Sequence, residues 1–593
     1  VGGGAVFFSF LSKSIAGAIK RLGADPSDTK VTKWVDTIQT KDNFHHSQGG
    51  GGGVNDAFII FAGCFSSAIA GLEMEEFMNM HCPVPIGEGL ERVVRIVKSL
   101  VFYYHFTDQY RNSLVQREIA NVSMALLSQM RQRYVRIAFC SEAAWQLESK
   151  CKYEFYSQWN LWASGKLRGE KSYALRETVF KLPFLLTFEQ RATAFRNALE
   201  ADAKEVASMQ RRIPTVNIRR AYLVEDGWEA IKAMGPGLKQ RIAIRFIDKR
   251  GQVEAGLDMG GPFKEFLESL CREVFREDYG LFKSTELRTY YPNDASVLLD
   301  SWHEQFEFVG KVLGKALMEG HLIDVRFASF FLNLLLSRSP HFDDLKSLDE
   351  QLYRNLLFVK NYEGDISDLC LTFAVSKDLF GASKTVPLVP GGEDLEVTRA
   401  NRVQYITAMA DYHLSKKIYS QTAAFSRGLF SVISKDWLRL FTHYELKILL
   451  SGSEDEDIDV DDLRRHSQVD PRGSFPSPSV LSWFWSSVKN FSPHQKRLLL
   501  KFVTACSHPP LMGFKYLSPP FTIRFVPLQE PSRQDSKSKS LFSRMFGRNP
   551  QAGQLPTSAT CFNMLKLPLY RSQKALTEKL VMAIEARAGF DLQ

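Results

Sequence analysis

The residues of this chain best suited to chemistry lie in Leu555-Pro556-Thr557-Ser558-Ala559-Thr560-Cys561-Phe562-Asn563. One cysteine stands there among hydroxyl residues, just ahead of the apolar run Met564-Leu565-Lys566-Leu567 and Pro568. Cysteine does nucleophilic chemistry without a strong base, because a few per cent of it is already thiolate near neutral pH. Apolar and polar residues roughly alternate from Phe562 to Leu567, which predicts a short, half-buried strand with Cys561 at its entrance. Pro556 and the hydroxyl residues ahead of the cysteine read as a loop. A thiol at such a junction is open to a large partner, whereas one inside a core is not. The opposing reading is a packing cysteine, since free cysteine is among the most buried residue types. A lone thiol with no fixed partner is by itself a weak signal.

The elements that must position this thiol belong to a chain of 593 residues, too long for one core, which predicts three or four domains or lobes. It begins at Val1 rather than Met and so reads as a fragment or a processed form. Hydrophobic content of 45% and charge of 24% are those of a soluble globular protein. A net charge of +9 is mild at this length and does not demand nucleic acid. Eight cysteines, at 64, 82, 140, 151, 271, 370, 506 and 561, show no close pairs of metal-ligand spacing. That scatter fits reduced thiols in a cytoplasmic or nuclear protein better than a disulfide framework. Ala57 to Leu72 is the longest apolar stretch; interrupted by glycine and serine, it falls short of the ~20 residues that cross a bilayer. The expectation is a soluble chain with no secretory signal and no membrane span.

Residues 1–205 read as mostly helical, with helices over Glu88–Phe106, Leu114–Phe139 and Leu175–Met209. The character changes near Ile213-Pro214. Ile242–Ile247 reads as a strand turning at Lys249-Arg250-Gly251, and Gly256-Leu257-Asp258-Met259-Gly260-Gly261-Pro262 reads as a structural turn into a helix. Phe306 to Leu336 predicts two or more core helices broken near Gly320, and Asn401–Ile433 a second helical block. Pro471–Ser479 is loop-like, Val480–Val488 an aromatic helix, and a lobe boundary is expected at 486–491. The last lobe holds a helix from Pro493 to about Ala505, a strand over Phe521–Val526, and a basic polar insert over Glu530–Gln554. Its final helix is capped by Ser572, buries Leu576, Leu580 and Ile584, and ends at Gly589.

Other motifs fail on inspection. His45 and His46 precede a run of five glycines and lack further ligands, and no His-Glu-x-x-His or Cys-x-x-Cys offers a zinc site. An EF-hand started at Asp455 puts Val460 where glycine is needed and His466 where the bidentate glutamate belongs, so a solvated acidic loop or helix start is preferred. The expectation is no metal and no cofactor.

From Ile213 to Gln593, about two-thirds of the chain, the sequence resembles the HECT-type ubiquitin ligase domain. The resemblance rests on landmarks in order: Gly256 to Phe266, Phe306 to Leu336, Asn401-Arg402-Val403 with Ala410-Asp411-Tyr412, Trp483-Phe484-Trp485, Leu555 to Asn563, and Gly589-Phe590. It implies an α+β fold: a helical region of unknown role over 1–205, a large mostly helical N-lobe over 213–485, a hinge at 486–490, and an α/β C-lobe over 491–593. It also implies ubiquitin, a ubiquitin-conjugating enzyme and a protein substrate as partners, with no nucleic acid. Cys561 would carry ubiquitin as a thioester, Thr560 would position it, and Phe590 would orient the C-lobe. Asp591 or the terminal carboxylate would help deprotonate the substrate lysine.

Two departures stand out. Many relatives carry histidine where this chain has Ala559, and the usual Thr-Gly reads Thr504-Ala505-Cys506 here, which makes Cys506 a rival thiol outside the Thr-Cys-Phe motif. Two other functions compete with an active transferase. One is an inactive scaffold that binds ubiquitin or a conjugating enzyme. The other is a cysteine hydrolase, which needs an ordered histidine such as His494 or His508. The helices from Tyr412 to Phe430 are weighed as a conjugating-enzyme groove against plain core packing.

Overall fold

A computed structural model describes residues 87–593 apart from 107–113, 148, 164–169, 210–212, 249, 255–260, 380–381, 453–456, 472–477, 511–512, 518, 529–553 and 591–593, with scattered residues between 59 and 78. His45, His46, the glycine run, Gly256–Gly260, the polar insert and Asp591 lie outside the described residues. The chain divides into two units, one of residues 1–198 with 436–442 and one of 199–435 with 443–593.

The first unit is helical: α1 (Glu88–Phe106), α2 (Leu114–Arg136), α3 (Ser149–Ala163), α4 (Glu170–Lys181) and the start of α5 (Phe188–Met209). The helix expected over Leu175–Met209 is two helices. Pro183 lacks the amide proton that a continuous helix would need, and the chain turns there in a short 3₁₀ segment. Residues 436–442, expected inside the large lobe, belong to this unit. Trp437 packs on Trp162 with ring centroids 5.4 Å apart, Phe441 on Phe195 at 5.5 Å, and Arg191 donates to the Leu440 carbonyl at 2.6 Å.

The second unit opens with a parallel pair, β1 (Thr215–Arg219) and β2 (Ala243–Ile247), joined through α6 (Leu223–Met234). Next come α7 (Gly261–Val274), the hairpin β3 (Phe282–Ser284) and β4 (Tyr290–Pro292), α8 (Trp302–Glu319) and α9 (Ser329–Leu335). Gly320 ends α8 at φ 71°, a left-handed conformation that glycine adopts at no steric cost. Then follow α10 (Glu350–Asn361), the hairpin β5 (Ala374–Leu379) and β6 (Ala382–Pro387), α11 (Arg402–Leu414), α12 (Tyr419–Val432) and α13 (His443–Ser451).

Helices α8 and α12 form the centre of this large lobe, meeting backbone to backbone across Gly310, Gly314 and Gly428. Phe282, Phe306, Phe327, Phe331 and Phe425 close the core around the crossing. Tyr412, Phe425 and Leu429 are therefore core residues, whereas Tyr419 in the same block is exposed.

A separate core begins at Ile458. It joins Ile458, Val460 and Leu463 to Phe484, Trp485, Val488, Leu499, Val503, Ile523, Phe525, Leu565, Leu567, Leu576, Leu580 and Ile584. Around it stand α14 (Val460–Arg465), β7 (Gln468–Val469), α15 (Pro478–Lys489), α16 (Pro493–Thr504), β8 (Thr522–Val526), β9 (Thr557–Ala559), β10 (Met564–Pro568) and α17 (Gln573–Phe590). The sheet runs β7-β8-β10-β9, parallel except at the β9–β10 edge.

The hinge expected at 486–490 is thus inside the small lobe. Ser487 and Val488 are buried in α15, and the Ser487 hydroxyl lies 2.7 Å from Thr577 Oγ1 on α17. The Pro/Gly/Ser-rich stretch ahead of α15 resembles a linker in composition, but the residues on both its sides share one core. The two cores instead meet in sequence between Gly452 and Asp457. The acidic stretch there leads into a helix start, with Asp459 accepting from the Asp461 and Asp462 amides. The final helix runs on through Gly589 to Phe590.

Candidate active site

Cys561 occupies the middle of a 3₁₀ turn, Thr560–Phe562, that joins β9 to β10. The two strands pair antiparallel, Ala559 opposite Met564 and Ser558 opposite Leu565, so the cysteine sits at the tip of a tight hairpin. Thr557 and Ser558 belong to an edge strand rather than the expected loop. The strand after the cysteine begins two residues later than expected, because Phe562 belongs to the 3₁₀ turn and Asn563 to its reversal, and it is also more buried than expected. Met564, Leu565, Leu567 and Pro568 are all buried and only Lys566 is partly open, because β10 is an inner strand between β8 and β9.

Asn563 makes the hairpin possible. It turns at φ 47°, ψ 42°, in the left-handed region that asparagine tolerates better than other non-glycine residues. Its amide donates to the Thr560 carbonyl at 3.1 Å, and its carbonyl accepts from the Thr522 amide at 2.9 Å. Its side chain is fully buried. Nδ2 donates to the Pro519 carbonyl at 2.5 Å, and Oδ1 accepts from Lys264 Nζ at 2.7 Å.

Lys264 comes from the large lobe, on α7. The same ammonium donates to the Thr504 carbonyl at 2.5 Å and stands 3.7 Å from Glu268. Thr504 is the last residue of α16, so its carbonyl is at the negative end of a helix dipole, where a cation is favoured. A second bridge, Lys501 to Asp324 at 3.2 Å, reinforces the same contact between lobes. No local pattern marks this role. Lys264 follows Phe263 and precedes Phe266 and Leu267 on an apolar face, the usual position of a lysine that buries only its stem.

The rival thiol is disqualified by its surroundings. Cys506 is buried, and burial pushes its thiol up to about 12, so almost none is thiolate at neutral pH. Cys271 is likewise buried and pushed up to about 12. Cys370 is exposed, but on a loop of the large lobe.

His494 is exposed in the first turn of α16, ten residues and roughly 15 Å along the helix from Thr504. His508 is buried, with Nδ1 3.2 Å from the Ser507 hydroxyl. Of the other candidates, Thr560 contributes its carbonyl to closing the turn, and Phe590 is the last residue of α17. The side chains of Cys561 and Phe590 lie outside the described residues. No group of acidic, histidine and cysteine side chains suited to a metal, and no helix long and apolar enough to cross a membrane, occurs among the described residues.

Fold and site define a two-lobed α+β protein in which a cysteine turn on the small lobe is pinned to a helix of the large one. Residues 268–593 match the HECT-domain (ubiquitin-transferase) family. The chain is 37% identical over 482 residues to the E3 ubiquitin-protein ligase UPL6 of Arabidopsis thaliana, covering 81% of this chain and 44% of that protein. It is 38% identical over 426 residues to the human ubiquitin-protein ligase E3B, covering 69% and 40%. To the E3 ubiquitin-protein ligase HUL5 of Saccharomyces cerevisiae it is 34% identical over 451 residues, covering 72% and 46%. The chain belongs to the HECT-domain family. It spans less than half the length of these relatives.

Proposed function

We propose that this chain is a HECT-type E3 ubiquitin transferase that takes ubiquitin from a conjugating enzyme onto Cys561 and passes it to a substrate lysine. The observation that carries this reading is the position of Cys561 at the tip of the β9–β10 hairpin, while Cys271 and Cys506 are sealed in cores. In the first step the Cys561 thiolate attacks the carbonyl carbon of the incoming thioester, a new C–S bond forms, and the conjugating enzyme's sulfur leaves as thiolate. In the second, the lysine amine attacks the Cys561 thioester, the C–N bond forms, the C–S bond breaks, Cys561 departs as thiolate, and the amine's surplus proton passes to water. Thiol exchange is close to thermoneutral, so positioning supplies most of the rate. The amine step needs a deprotonated lysine and a stabilised oxyanion. Thr560 is assigned to positioning the thioester, Phe590 to orienting the small lobe, and Asp591 to assisting lysine deprotonation. Thiolate chemistry of this kind needs a reducing compartment, the cytoplasm or nucleus.

The deciding experiment loads the purified chain with ubiquitin and resolves it without reductant. A reducible adduct absent from Cys561→Ala is expected. Charging that persists in Cys561→Ala, or a wild type that never charges, would overturn the assignment; the second result is what an inactive scaffold would give.

A further inference from the structure

Lys264 is anchored in the large lobe and donates to two acceptors in the small one. They are the Thr504 carbonyl at 2.5 Å and Asn563 Oδ1 at 2.7 Å. Lys264 is 6% exposed and Asn563 0%, so water does not replace these bonds while the lobes are together. Asn563 is two residues past Cys561, and its backbone amide closes the turn that carries the cysteine. The turn is built entirely from small-lobe atoms, so Lys264 is not needed to form it. What Lys264 adds is a bond that exists only when the turn rests on α7.

We propose that Lys264 is a positioning residue for the second transfer, holding the Asn563 end of the Cys561 turn against α7 while ubiquitin is discharged to lysine. The proposal rests on the thioester reading above. A turn resting on α7 is covered on that side, which suits an attacking lysine, a single slender chain. Charging instead requires Cys561 to meet a thioester held in another protein's active site, which needs a more open approach. The latch therefore favours discharge and must release for charging. During discharge the amine nitrogen bonds to the thioester carbon, the Cys561 sulfur leaves with the C–S electron pair, and the amine proton passes to water, with Asp591 assisting in the reading above. Lys264 is assigned no part in these bond changes. It acts through Asn563, limiting how far the turn moves relative to the large lobe.

The two half-reactions are measured separately in the full chain. Charging is followed on mixing with a ubiquitin-loaded conjugating enzyme, and discharge by chasing the isolated thioester with excess free lysine. Lys264→Met keeps the length and apolar stem but removes the donor. Its discharge rate should fall at least tenfold while charging stays within twofold of wild type or rises. Lys264→Gln, which can still donate a hydrogen bond, should recover part of the discharge rate. A purely structural lysine would slow both steps together. Equal loss in both half-reactions, or unchanged discharge, overturns the proposal while leaving wild-type charging intact. A wild type that never charges overturns the thioester reading and this proposal with it. Should Lys264→Met lack a folded-state melting transition, the same ratio is read from Lys264→Gln.

Discussion

Gly428 of α12 lies so close to the Glu307 carbonyl of α8 that any side chain on it would overlap that oxygen. The matching glycines on α8 behave alike: a Cβ on Gly310 would strike the Phe425 carbonyl, and one on Gly314 would come within 2.9 Å of Val432 Cβ. Because the obstacles at Gly428 and Gly310 are backbone, no rotamer change relieves them. Gly428→Ala should therefore cost about 3 kcal/mol, at the upper end of overpacking losses. Denaturant unfolding of the full chain would show it as an early transition of the large lobe, and an unchanged midpoint would contradict the crossing.

Cysteine labelling should follow burial. In native protein at pH 8, an alkylating reagent should modify exposed Cys370 but spare Cys271 and Cys506, whose thiols burial pushes up to about 12. Peptide mass mapping reads this directly. Cys506→Ala should retain ubiquitin charging, since that thiol is sealed away from any partner.

Acid should weaken the large lobe before its carboxylates titrate. His321 is lowered to about 3, first by burial and then by the Lys264 and Lys315 charges; His413 is lowered to about 4 by burial and the Lys417 charge. Each histidine binds its proton more readily when unfolded, near pH 6.5. The stability it contributes is therefore complete above that pH and lost as pH falls toward its folded value. At pH 5 the loss is about 2 kcal/mol per histidine relative to neutral pH. Denaturation midpoints at pH 7.5 and 5.0 test this, and His321→Gln should remove about half of the difference.

Proline tells a hinge from a helix. At position 487 it would remove a hydrogen bond inside α15 and the buried Ser487–Thr577 contact, costing about 3 kcal/mol or more. Ser487→Pro should therefore unfold the small lobe and abolish charging. Slower transfer with a fully folded small lobe would restore 486–490 as a joint.

Ala505 ends α16 at φ 59°, where glycine is favoured and a Cβ is strained. Ala505→Gly should stabilise the small lobe by about 0.5–1 kcal/mol, with charging unaltered. A lower midpoint would mean that the Ala505 methyl packs usefully.

Local patterns were legible wherever one short stretch carried its own instructions. Glu88–Phe106 emerged with the bounds its periodicity predicts, Ser572 caps the last helix, and Gly320 ends α8. In each case the signal is a cap, a breaker or an apolar period within a few residues. The hinge was misplaced for the opposite reason: Pro471–Ser479 has the composition of a linker, but the residues flanking it share one core, and only contacts distant in sequence reveal that. The same holds for residues 436–442, whose apolar side chains pack with helices more than 200 residues earlier.

The sequence by itself determined the family resemblance, the α+β alternation and the thiol to consider, because these depend on residue type and spacing along the chain. Only the tertiary structure decided that Cys506 is sealed in, that Ile458 begins the small lobe's core, and that Lys264 reaches Asn563 across 299 residues. Burial and the pairing of a buried ammonium are properties of neighbours in space, and no local pattern names those neighbours in advance.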